Sequence, residues 1–163
     1  KILLVAGSWQ ELTSKQLEQL MRNLPVHVVP LAVGEDRHVR LASSLESIPA
    51  GELVVLSSAS LPYLEGSEEQ VAEDLAQIAR RIIRAHGMEG IVLTGGATAL
   101  AVCRELGAGA LEIGHQALPG VPLGRILDGE CQEMWVVTKA GGFGGHLALV
   151  RIVEFMRGKS IDE

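Results

Sequence analysis

Val137-Thr138-Lys139-Ala140-Gly141-Gly142-Phe143-Gly144-Gly145-His146 joins an apolar run to a second apolar-periodic segment through a lysine and four glycines. Strand, glycine turn, helix is the order that brings backbone N–H groups close to an anion such as phosphate. A second junction of the same kind stands at Ile91-Val92-Leu93-Thr94-Gly95-Gly96-Ala97-Thr98-Ala99. Two of them point to a nucleotide or another phosphorylated ligand. Glycines at such turns serve equally for tight turning and close helix–strand packing. The second turn and the strand-end lysine tip the balance toward an anion.

Outward from these turns, apolar runs and helical stripes alternate. Strands are predicted over Ile2–Ala6, Val26–Leu31, Leu53–Leu56, Ile91–Leu93 and Trp135–Thr138. Thr13 and Gln16 have capping-box spacing, with Leu17, Leu20, Met21 and Leu24 following at helical intervals before Pro25. Ser67 and Gln70 repeat the pattern ahead of Val71, Leu75, Ile78 and Ile82, and Gly87 fits a C-cap. Asp36 reads as the cap of a short helix carrying Val39, Ala42 and Leu45. Further helices are expected over Thr98–Leu106 and Leu147–Met156, a strand over Ala110–Ile113, and a loop over Ala59–Gly66. Leu118–Gly124 reads as a rigid, turn-rich connection. The alternation predicts an α/β, three-layer domain with a largely parallel sheet flanked by helices.

At 163 residues the chain fits a single domain, and 47% hydrophobic residues suit a buried sheet. Aromatics at 3% and a net charge of −6 speak against nucleic acid as a partner, since stacking platform and basic footprint are both missing. Cys103 and Cys131 lack metal or disulfide spacing and read as reduced thiols of a cytoplasmic protein. No apolar run approaches the ~18 residues of a membrane span. The start at Lys1, directly on a core strand, reads as a fragment whose preceding domain is missing.

Ligands of open α/β sheets bind outside the carboxyl ends of the strands. Gly7-Ser8, Thr94–Thr98 and Lys139–Gly144 are expected there, with hydroxyls from Ser8, Thr94 and Thr98 and a positive charge from Lys139. Neither a P-loop nor the dinucleotide fingerprint is present: Leu147 stands where the latter needs its third glycine. The histidines have no metal-ligand spacing, and Gly7-Ser8-Trp9-Gln10 is not a nucleophile elbow.

Ala6-Gly7-Ser8 with Thr13 and Gln16, then Leu93–Ala99, Pro119-Gly120-Val121-Pro122 and Thr138–Gly144, occur in an order that resembles the C-terminal nucleotide-binding domain of the four-carbon acid sugar kinases. The resemblance runs from Val5 to about Val153 and implies ATP-dependent phosphorylation of threonate, erythronate or 3-oxo-tetronate. It implies ATP contacts from Ser8, from the turn Gly95, Gly96, Ala97 and Thr98, and from Gly141 with Gly142. Lys139 joins this set as the strand-end charge. Mg²⁺ would accompany the nucleotide, ATP or ADP. The sugar acid and the catalytic base would lie on an N-terminal domain with an Asp-Asp-x-Thr-Gly type motif, and a homodimer is a further expectation. Two departures stand out: Ala97 replaces the acidic residue usual in that turn, and Gly145-His146 continues the last one.

Overall fold

A computed structural model describes residues 1–31, 48, 53–59, 61, 63 and 65–158. Among them, seven strands form one sheet: β1 (Ile2–Ala6), β2 (Val26–Pro30), β3 (Leu53–Ser57), β4 (Gly90–Thr94), β5 (Leu111–Leu118), β6 (Val121–Ile126) and β7 (Trp135–Lys139). The helices are α1 (Glu11–Asn23), α2 (Glu68–His86), α3 (Gly96–Glu105) and α4 (Ala148–Met156), with a 3₁₀ turn at Gly129–Cys131. The short helix expected after Asp36 lies outside the described residues.

The strand order is β2-β3-β1-β4-β7-β6-β5. The first five positions pair in parallel, while the β5–β6 hairpin adds two antiparallel strands at one edge. The three-layer α/β expectation is borne out. β1 and β4 are buried along their whole length, as unbroken apolar runs covered on both faces must be. Leu3, Val5, Ile91 and Leu93 pack under α2 and α3, with Leu75, Ile82 and Val102 opposite. Leu4, Val92 and Val137 point the other way, toward Leu17 and Leu20 of α1 and Leu149 and Ile152 of α4. Each such side chain contributes about 1.5–3 kcal/mol by leaving water.

Three local readings are corrected. α1 starts at Glu11 after Gln10, so Thr13 lies inside the helix and does not cap it. Thr13 and Gln16 share the buried face with Leu17 and Leu20, and their side chains bond elsewhere. α2 does begin after Ser67 and end at Gly87, whose φ of 61° suits the C-cap, but the Gln70 amide donates to Asp74 and does not reach back. Leu118–Gly124 is the tip of a hairpin. Only Pro119 and Gly120 separate β5 from β6, and Gly120 (φ 78°) makes the turn.

Candidate functional site

β1 leads into α1 on one face of the sheet, and its neighbour β4 leads into α3 on the other. Chain connections depart in opposite directions from these two adjacent strands, which makes β1/β4 the topological switch point. β7 lies beside β4 and also ends at this edge. The three predicted turns are therefore neighbours in space.

The α3 wall is built first. Gly95 has φ 102°, a conformation closed to ordinary side chains, and it turns the chain from β4 directly into the helix. Its N–H donates to the Lys139 carbonyl at 2.9 Å, and its carbonyl accepts from Ala99 at 2.9 Å. The N–H groups of Gly96, Ala97 and Thr98 then form the open first turn, where no carbonyl precedes them within the helix. Gly96 and Ala97 are exposed. Thr98 is buried, its hydroxyl set so close over Gly7 that a Cβ there would overlap it. Gly7 is thus a packing glycine. Around Gly96 nothing lies within 4 Å of a would-be Cβ, which is the open space a ligand needs.

Ser8 occupies the middle. Its Oγ accepts from the Gln10 N–H at 3.2 Å, and a Cβ on Gly141 would overlap that same oxygen. The β1 and β7 loops are therefore in direct contact, with the buried Gly141 pressed on Ser8 and the exposed Gly142 meeting only Gln10 Oε1, 4.0 Å from a would-be Cβ.

The third wall differs from expectation in its lysine. Lys139 is only 4% exposed, and its ammonium does not face the crevice. It donates to the carbonyls of Ala140 (2.8 Å), Gly141 (3.2 Å) and Phe143 (3.1 Å), drawing the loop around itself. Burial pushes its pKa down to about 8. From α1, Thr13 Oγ1 donates to the Gly141 carbonyl at 3.0 Å, while Gln16 Nε2 donates to those of Phe143 (3.0 Å) and Gly145 (2.9 Å). These two residues were missed as part of the site. Their signal was legible: polar side chains on the apolar stripe of a helix need buried partners.

Three of the five aromatic residues also gather at this edge. Trp9 and Tyr63 meet edge-to-face with ring centroids 5.5 Å apart, and Tyr63 donates to Glu68 at 2.6 Å. The Phe143 ring sits against Gly120, tying the glycine loop to the hairpin tip. Thr94, expected to offer its hydroxyl, is fully buried and its Oγ1 has no hydrogen-bond partner among the described residues. His146 is exposed after the loop. A groove of about 620 Å³ between α2 and α3 opens at Ala97. At the opposite edge of the sheet, Arg80 and Arg84 enclose Glu130 and hold its carboxyl down to about 2.

Fold and site define an open, doubly wound α/β domain with two glycine turns set against Ser8 at its switch point. The model of a nucleotide-binding C-terminal domain matches residues 3–149, and the chain belongs to that family. A D-threonate kinase of Bordetella bronchiseptica is 40% identical over 89 residues, 55% of this chain and 22% of that protein. A D-erythronate kinase of Heliobacterium modesticaldum is 28% identical over all of this chain and 43% of its own length. A 3-oxo-tetronate kinase of Cupriavidus necator is 31% identical over 88% of this chain and 35% of its own length. The chain thus spans less than half the length of these relatives. A crystal structure from Bordetella bronchiseptica, described as a domain of unknown function with bound citrate and a domain-swapped dimer, aligns with TM-score 0.84 and 29% identity over 99% of this chain and 42% of its own. The four-carbon acid sugar kinase resemblance is borne out.

Proposed function

We propose that this chain is the ATP-binding domain of a kinase that phosphorylates a four-carbon sugar acid of the threonate, erythronate or 3-oxo-tetronate type. One observation carries the reading. Two turns whose N–H groups have no acceptor among the described residues, Gly96–Thr98 and Gly141–Gly142, stand on either side of Ser8 at the switch point. Membership in a nucleotide-binding family supports the nucleotide, and the names of the relatives support the substrate class.

Phosphoryl transfer needs positioned phosphates, neutralised charge and an acceptor hydroxyl in line with the γ-phosphate. Gly96, Ala97 and Thr98 would hold phosphate oxygens by their amides, Ser8 by its hydroxyl, and Gly141 and Gly142 by theirs. Mg²⁺ would enter with the nucleotide and would supply neutralising charge to its phosphates. Among the described residues, no group of three His, Cys, Asp or Glu is placed to hold a metal alone. The sugar acid and the base that takes its proton belong, on this reading, to a preceding domain of a two-domain enzyme. A cytoplasmic homodimer completes the proposal.

Calorimetry with MgATP and MgADP tests it. Millimolar or tighter affinity is expected, and no heat at millimolar nucleotide overturns it. Ala97, which leaves the turn without the family's usual carboxylate, favours a second reading as a non-catalytic module for a phosphorylated metabolite. A sugar phosphate binding more tightly than either nucleotide would establish that one.

A further inference from the structure

The carbonyls of Ala140, Gly141 and Phe143 converge on one ammonium, and that of Gly145 on the Gln16 amide. In a planar trans peptide the N–H points opposite to the carbonyl preceding it. Fixing these four carbonyls therefore turns the N–H groups of Gly141, Gly142 and Gly144 away from the ammonium, and that of His146 away from the Gln16 amide. None of the four finds an acceptor among the described residues, whereas the Phe143 N–H, the exception in the run, is used by Ala140 at 3.1 Å. Successive outward amides form an anion-binding nest.

We propose that Lys139 is a positioning residue for a phosphoryl oxyanion: its buried ammonium, with Thr13 and Gln16 as clamps, holds the 140–145 loop with its amides presented to the ligand. The lysine never touches the phosphate. Its charge acts through the backbone, reaching the crevice as oriented N–H dipoles. The identity of the ligand rests on the nucleotide reading, but the mechanism of the loop does not.

Amide NMR of the 163-residue chain, titrated with inorganic tripolyphosphate and with MgADP, tests this. In the wild-type chain the amides of Gly141, Gly142 and Gly144 shift together with those of Gly96, Ala97 and Thr98. In Lys139→Met the loop shifts vanish and the α3 shifts remain, with affinity lower by ~10–100-fold, the size of one charge-assisted contact. Lys139→Arg gives no rescue, because the wide guanidinium fork does not fit three carbonyls gathered around a point. Near-wild-type affinity in Lys139→Arg would mean direct charge contact, and loop shifts persisting in Lys139→Met would remove the loop mechanism; either overturns the proposal. Should Lys139→Met not fold, Thr13→Val removes a single bond to the loop. A few-fold weaker affinity with a diminished Gly142 shift is expected, and unchanged values for both overturn the proposal. Shifts confined to Gly96–Thr98 in the wild type would refute the loop's role and leave the nucleotide reading intact; no shift anywhere would refute both.

Discussion

At the scale of single residues, the glycines of the site separate by what surrounds them. Gly141 is glycine because Ser8 fills the space of a side chain, whereas Gly96 faces open space. Gly141→Ala should therefore lower stability by about 1–3 kcal/mol, as overpacking does, with a lower melting temperature even without ligand. Gly96→Ala should do the reverse. Its helical position gains up to about 1 kcal/mol, while a methyl group at the mouth of the crevice weakens nucleotide binding. Calorimetry and thermal unfolding on the two variants separate packing from function. Equal nucleotide affinity in Gly96→Ala and the wild type would show that no ligand approaches that backbone.

At the scale of elements, α1 is more than a cover for the sheet. Gln16 satisfies two carbonyls of a loop far along the chain. Gln16→Leu leaves both without that donor and should cost about 1–3 kcal/mol in urea unfolding, more than a surface Gln→Leu would. The same helix shows where sequence reading met its limit. The strands and the glycine turns were legible because their signals are local: apolar runs, and glycines at the run ends. Thr13 and Gln16 carry the spacing of a capping box, yet the energetics are decided by carbonyls brought in by β7. The β5–β6 hairpin was missed for a related reason. β5 is exposed at Glu112–Gln116, and two register irregularities interrupt its pairing, so no alternation of apolar and polar residues announces it. Lys139 ends β7 as its apolar run implies, but its direction is not readable, because a lysine at a strand end serves a phosphate or a carbonyl cluster with the same local pattern.

At the scale of the whole molecule, Lys139 sets binding and stability against one another. Its pKa in the folded chain is about 8, held well below the ordinary lysine value by burial. Between these values the unfolded chain carries more protons on this group, so its contribution makes stability rise with pH. That contribution is complete above the ordinary lysine value and lost as pH falls through about 8. The contacts that reach its loop from α1 come from the uncharged Thr13 and Gln16, and β4 contributes the neutral Thr94 in register with it. Nucleotide affinity should fall over the same interval, since the neutral amine no longer gathers the carbonyls. Urea unfolding and ADP titration from pH 7 to about 10 should therefore trend in opposite directions in the wild-type chain, and Lys139→Met should lose both trends. Glu130→Gln, at the far edge of the sheet, should leave nucleotide affinity unchanged.

Thr13 and Gln16 join partners 127 to 129 positions later in the chain. Contacts so distant in sequence carry a large loop-closure cost and slow folding. The crevice is accordingly expected to be completed after the sheet. β1, β3 and β4 can pair while the 140–145 loop still lacks its shape, and a chain arrested there would carry most of the sheet with half of the site. Ligand binding during refolding should lag behind the recovery of secondary structure, reporting the moment at which the two ends of the fold meet.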